Sequence, residues 1–250
     1  MILLRSLLVG LVVFCGHSCA LLPPAAISAA GPGSGVSFLA LGDSYTIGEG
    51  VAKSARWPVQ LAALARRQGL PVQEPTIIAR TGWTTAELQA AIAKARPVSN
   101  YGLVSLLIGV NNQCRAQGVA RYRPEFRALL HRAIGLAGGR PGRVVLSIPD
   151  WGLSPFGRRR AGDLAATSTE IDQFNAVARE ECRQARVVYV DIMPLTRAAA
   201  ADGYQFARDG FHYSWTQLRQ WAGRVLPVVL PLLRKAAVPG GVPLNRLKGL

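Results

Sequence analysis

Five short apolar runs alternate along the chain with stretches whose apolar residues recur at helical spacing. The runs are 36–41 (VSFLAL), 76–79 (TIIA), 103–108 (LVSLLI), 143–148 (RVVLSI) and 186–190 (RVVYV), and each reads as a β-strand. Between them the spacing predicts helices over 57–68, closed by Gly69, over 84–96, before Pro97, and over 124–136, closed by Gly138-Gly139. Two more are predicted over 168–185 and 216–233, the last with Pro227 and Pro231 as points of interruption. Thr84-Thr85-Ala86-Glu87 is a capping box that marks the second helix start. Strand–helix alternation predicts βαβ units, a parallel five-stranded sheet and one three-layer domain of the α/β class. Near-continuous apolar strands fit a sheet covered on both faces. Ligands in such folds bind beyond the carboxyl ends of the strands, so the residues after each strand are the place to seek chemistry.

The ends of the chain read differently. Residues 1–20 have the layout of a secretory signal: Arg5 in the first region, an apolar stretch from Leu7 to Cys15, and Ser18-Cys19-Ala20 as a small-x-small cleavage site. Ser28-Ala29-Ala30 is a second cleavage candidate, and an uncleaved anchor helix is the alternative. Residues 21–35 form a Pro/Gly/Ser-rich lead-in, 36–236 the domain, and 237–250 a tail without pattern, expected to be disordered. A secreted or periplasmic location follows from the signal.

The 250 residues are 50% hydrophobic and 17% charged, which excludes a mainly disordered chain. No apolar run reaches about 18 residues, which excludes a polytopic membrane protein. Lys and Arg number 29 against 14 Asp and Glu, a formal charge of +15, and loss of residues 1–20 removes only Arg5 from that balance. Such a surface attracts anionic membranes, acidic polysaccharides and nucleic acid nonspecifically, and Arg158-Arg159-Arg160 is its densest cluster. No zinc-finger or RNA-recognition signature accompanies it, so specific nucleic-acid binding is not expected. After signal removal two of four cysteines are left, Cys114 and Cys182. They can form one disulfide in an oxidising compartment or stand as separate buried thiols. No Cys/His cluster with metal-ligand spacing exists, so no metal site is expected.

The strand ends concentrate the chemistry. Gly42-Asp43-Ser44 follows the first strand, where a hydroxyl can project into the crevice or cap a turn. Arg80-Thr81-Gly82-Trp83 follows the second, and Gly82 stands at a helix entrance where a backbone N–H can face an anion. Gly109-Val110-Asn111-Asn112-Gln113 follows the third; an Asn amide donates without charge, as an oxyanion hole requires, or satisfies its own turn. Near the end comes Asp209-Gly210-Phe211-His212. The chain has three histidines; His17 lies in the signal and His131 within a helical segment, which leaves His212 as the candidate base. Asp209, three residues earlier, is spaced to reach its imidazole.

Together these four blocks resemble the SGNH (GDSL-type) hydrolase superfamily, in its order and over nearly the whole chain from Val36 to Leu233. The resemblance implies a flavodoxin-like α/β/α sandwich with Ser44 as nucleophile, His212 as base and Asp209 as its partner. It implies an oxyanion hole from the N–H groups of Ser44 and Gly82 and the Asn111 amide, and no cofactor. Three positions depart from the pattern: Asn112 stands where the third block usually has Asp, Cys114 where an aromatic commonly follows, and Tyr213 where Pro often follows the histidine. The expected activity is hydrolysis of short-chain carboxylic esters, including acetyl groups on saccharides, with a small-molecule or saccharide ester as partner. A lipase or lysophospholipase on the same fold, and a noncatalytic polyanion-binding protein, are the alternatives.

Overall fold

The computed structural model describes residues 35–237, apart from Ala161. The expected signal (1–20), the lead-in up to residue 34 and the tail from residue 238 lie outside the described residues.

Five parallel strands, β1 (Phe38–Gly42), β2 (Thr76–Ala79), β3 (Leu103–Leu107), β4 (Arg143–Leu146) and β5 (Val188–Val190), form one sheet in the order β2-β1-β3-β4-β5. This is the flavodoxin-like doubly wound order, and its switch point lies between β1 and β3. Every residue of β1 and β3 is buried, because layers of helix cover both faces. On one side α2 (Trp57–Arg67) lies along α9 (Trp215–Ala237). On the other, α5 (Val119–Leu136) packs between α3 (Thr85–Ala95) and α7 (Leu164–Gln184). Trp57, Leu61, Trp221 and Val225 fill one interface, and Leu88, Tyr122, Phe126, Ile171 and Phe174 the other.

The register levels the strand ends. Gly42 pairs with Ala79 on one side and Leu107 on the other, so the loops after β1, β2 and β3 leave the sheet at one height. Four short helices occupy this end or its flank: α1 (Ser44–Ile47), α4 (Val110–Cys114), α6 (Pro155–Arg160) and α8 (Met193–Ala199).

Three helix expectations are corrected. The helix expected at 124–136 starts at Val119 and carries Pro124 internally. It gives up one backbone bond and buries Tyr122 against Phe126 and Phe174. The helix expected at 168 starts at Leu164, where the Asp163 carboxylate accepts the Ala166 N–H at 2.9 Å. Helix α9 is not interrupted: Pro227 and Pro231 both lie on its exposed face, while Val225, Val229 and Leu233 stay fully buried. The carbonyls these prolines leave without a helical donor are thus on the solvent side.

Candidate functional site

The turn after β1 has little freedom. A Cβ at Gly42 would collide with Thr46 Oγ1 and the Leu107 carbonyl. Asp43 then caps α1, its Oδ1 accepting the Tyr45 N–H at 3.0 Å, and Ser44 becomes the first residue of that helix. The Ser44 N–H belongs to the first turn, which has no helical acceptor. Ser44 is buried, and Gly48 ends the helix in the left-handed conformation with φ 67°.

Asp43 is fully buried, and its Oδ2 has no hydrogen-bond partner among the described residues. Burial pushes its carboxyl from 3.8 up to about 7, against the opposing bond from the Tyr45 amide. Between these values the folded protein holds a proton that the unfolded chain releases. Stability therefore falls as pH rises through this window and levels off above it. Asp43→Asn keeps the acceptor for Tyr45 but cannot titrate. Its melting temperature is expected to drop less between pH 5 and pH 8 than that of wild type; equal drops would refute the assignment.

The loop before α9 brings the histidine to the same place. Asp209 Oδ2 lies 2.6 Å from His212 Nδ1, and Oδ1 accepts the N–H groups of Phe211 at 2.8 Å and His212 at 2.9 Å. Partial burial raises the Asp209 carboxyl, but the His212 ring and the two amides outweigh it and leave the group below its usual range. With Nδ1 donating to this carboxylate, Nε2 of the neutral ring is the acceptor. That Nε2 is buried and has no partner among the described residues. The Tyr45 ring packs 5.5 Å from the imidazole, so α1 and the His212 loop adjoin directly.

Helix α4 fastens the loop after β2. Arg115 Nη2 donates to the Gly82 carbonyl at 2.6 Å, and Asn111 Nδ2 donates to the Trp83 carbonyl at 2.9 Å. Asn112 Oδ1 accepts the Thr85 N–H at 3.1 Å, while its Nδ2 donates to Thr85 Oγ1 at 2.7 Å. Arg115 also reaches Glu87, the capping-box glutamate of α3, at 3.2 Å. Gly82 has φ 86°, so the turn it makes is strained for any residue with a side chain.

This geometry explains Asn112. Thr85 Oγ1 donates to Glu125, whose carboxylate also lies 3.5 Å from Asn112 Nδ2. A fully buried aspartate here would set a second carboxylate beside Glu125, whereas the amide supplies the donor that Thr85 Oγ1 accepts.

Aromatic rings border the histidine. Phe211 packs 4.8 Å from His212, with Phe156 at 5.0 Å and Trp151 at 5.9 Å from Phe211. All three are partly exposed, and Trp151 Nε1 donates to Gln113 Oε1 at 2.7 Å. Phe206 is a core residue, buried with its ring 5.1 Å from that of Tyr213. His131 is exposed on α5, on the flank of the sheet.

The structure thus brings Ser44, His212, Asp209, Gly82 and Asn111 to one end of the sheet. Arg115 escaped sequence reasoning; its only signal was a place four residues after Asn111, one helical turn on. The considered bridge between Cys114 and Cys182 does not form: both are free thiols. Cys182 faces the core from α7, and burial pushes its thiol up to about 12, while Cys114 is exposed at the end of α4. Among the described residues no three His, Cys, Asp or Glu side chains group as metal ligands.

The chain is similar in structure to a lipase/acylhydrolase from Enterococcus faecalis, with TM-score 0.60 and 19% identity over 78% of this chain and 95% of that one. A lipolytic protein of the G-D-S-L family from Veillonella parvula gives 0.58 and 16%, over 77% and 97%. An acetylxylan esterase from Geobacillus stearothermophilus gives 0.57 and 18%, over 79% and 95%. At these identities the likeness shows the fold. A search of curated proteins found no match. The model of the GDSL-like lipase/acylhydrolase family, however, matches residues 40–216, most of the chain. The protein belongs to the GDSL-like lipase/acylhydrolase family.

Proposed function

We propose that the protein is a secreted serine esterase that removes short acyl groups, acetyl on saccharides foremost. That it is an ester-hydrolysing enzyme follows from its family. The observation carrying the catalytic assignment is the state of His212: Nδ1 tied to Asp209 at 2.6 Å, Nε2 unpartnered, and the ring against the helix that begins with Ser44.

In this reading His212 Nε2 takes the Ser44 Oγ proton as the oxygen attacks the ester carbonyl. The tetrahedral oxyanion accepts from the N–H groups of Ser44 and Gly82 and from Asn111 Nδ2, whose second hydrogen is free of Trp83. His212 then protonates the leaving alcohol, and water, deprotonated by the same nitrogen, releases the acid and restores Ser44. Asp209 stays ionised and stabilises the imidazolium. The substrate class rests on the rings of Trp151, Phe156 and Phe211 beside His212, a compact wall suited to a short acyl chain or a sugar face. The acetylxylan esterase among the similar structures supports the saccharide reading. Secretion rests on the signal-like pattern of residues 1–20.

A fluorophosphonate probe tests the nucleophile. Labelling should be stoichiometric, stop ester turnover, and map to Ser44 by peptide mass spectrometry. An adduct elsewhere, or full turnover after labelling, would overturn the assignment. A panel of acyl lengths then separates esterase from lipase: activity should peak at acetyl and fall as the chain lengthens.

Arg115 is a positioning residue in this scheme, acting through Gly82 and Glu87. Arg115→Ala is expected to lower kcat by about 10–100-fold with KM little changed, since displacement of an oxyanion donor by about 1 Å costs that order. Arg115→Lys should restore part of the loss. Steady-state kinetics on a chromogenic acetate decide it, and an unchanged kcat would dismiss the role.

A further inference from the structure

Between α2 and the start of α9 lies a cavity of about 290 Å³ that neither Ser44 nor His212 lines. Ala63 and Leu64 form its apolar floor, and Trp215, with 59% of its surface exposed, forms a wall. Among the described residues only Val98 and Tyr204 are comparably exposed large hydrophobic side chains. Arg67 and Arg219 complete the rim, and both are exposed. Neither lies within ion-pair distance of a carboxylate among the described residues, and no Asp or Glu lines the cavity.

The walls are fixed. Gln60 is buried beneath them and donates to the Ala55 carbonyl at 2.7 Å and the Trp215 carbonyl at 3.1 Å, which ties the turn Lys53–Ala55 to the start of α9. Two unpaired guanidinium groups each offer a fork of donors that matches a carboxylate. The indole offers a broad face for the C–H side of a pyranose ring. The volume lies at the small end of ligand pockets, about 300–1,000 Å³, and so suits one ring. A nucleic-acid groove would instead supply a series of aromatic platforms along a basic track.

We infer that this cavity binds an anionic sugar unit, a hexuronate residue of an acidic polysaccharide. Trp215 stands three residues after His212, so their Cα atoms are at most about 11 Å apart. A polysaccharide seated on Trp215 is therefore long enough to reach the residues assigned to ester cleavage. The link to turnover rests on the esterase reading, whereas the binding itself does not.

Calorimetry on the full chain with oligogalacturonate, and with a neutral oligosaccharide of equal length, tests the site. Wild type should prefer the hexuronate oligomer by at least about tenfold, the weight of one charge-assisted pair. Trp215→Ala and the pair Arg67→Glu/Arg219→Glu should each lose at least about that factor. The same variants should turn over a small neutral chromogenic acetate as wild type does, with KM raised only for acetylated hexuronate oligomers. Unchanged oligogalacturonate binding in both variants would overturn the inference. So would equal affinity for the neutral oligomer, or tighter binding of a single-stranded oligonucleotide through the same residues. Hexuronate binding lost in the variants, from a wild type that cleaves no ester, would support this site while refuting the esterase reading.

Discussion

Ser44→Ala is expected to lower kcat on an acetate ester by about 10⁶-fold, the order found when a catalytic serine is removed. The size follows from what is left behind. Without Oγ there is no covalent step, yet the amides around residues 44, 82 and 111 still hold the ester carbonyl. A small residual rate therefore persists above the uncatalysed reaction, by about 10³–10⁴. Because nucleophile and base act as a unit, Ser44→Ala/His212→Ala should be scarcely slower than Ser44→Ala alone. The fold should be spared: Ala is a better helix former than Ser at the start of α1, and Asp43 rather than Ser44 supplies the cap. Kinetics alongside a thermal melt check both claims. A Ser44→Ala enzyme within tenfold of wild type would remove Ser44 from the mechanism.

Asp209→Asn should cost about 10⁴-fold in kcat near pH 7 with KM nearly unchanged. The Asn oxygen can still accept from the amides of Phe211 and His212, so the loop survives. The other atom now points an N–H at His212 Nδ1, where a carboxylate oxygen sits at 2.6 Å. The ring must then accept at Nδ1 and carry its proton on Nε2, the tautomer that cannot take a proton from serine. Asp209 lies below the usual carboxylate range, so wild-type activity should not lose this partner until the solution is more acidic than an ordinary carboxylate requires. Rate profiles across pH on wild type and variant check the tautomer argument. A variant with normal kcat at pH 7 would show that Asp209 only shapes the loop.

Much of this was legible in the sequence because its signals are local. Five apolar runs marked five strands, and the glycines, amides and Asp-x-x-His after them marked the site. What escaped depends on partners distant in the chain. Helices α1 and α4 are too short to show a period. Pro124, Pro227 and Pro231 argued for breaks, and packing of Tyr122, Val229 and Leu233 overrode them. The hold of Arg115 on Gly82 joins residues 33 apart, and the burial of Asp43 is set by the whole sheet end. Residue order carries for the first only the spacing of Arg115 from Asn111, and for the second nothing.

The strand order also has a temporal meaning. Ser44 stands at the end of the first strand to be made, while Asp209 and His212 come after the last. Ribosomes add about 5–20 residues per second, so Ser44 waits on the order of ten seconds or more for Asp209 and His212. Over that interval the face of the sheet that α9 will cover is open, and α2 lacks the helix it packs along. Docking of α9 thus closes the core and delivers His212 in one event. A nascent or truncated chain would carry the serine yet remain inert toward esters, so hydrolytic activity reports that the last helix has found its place.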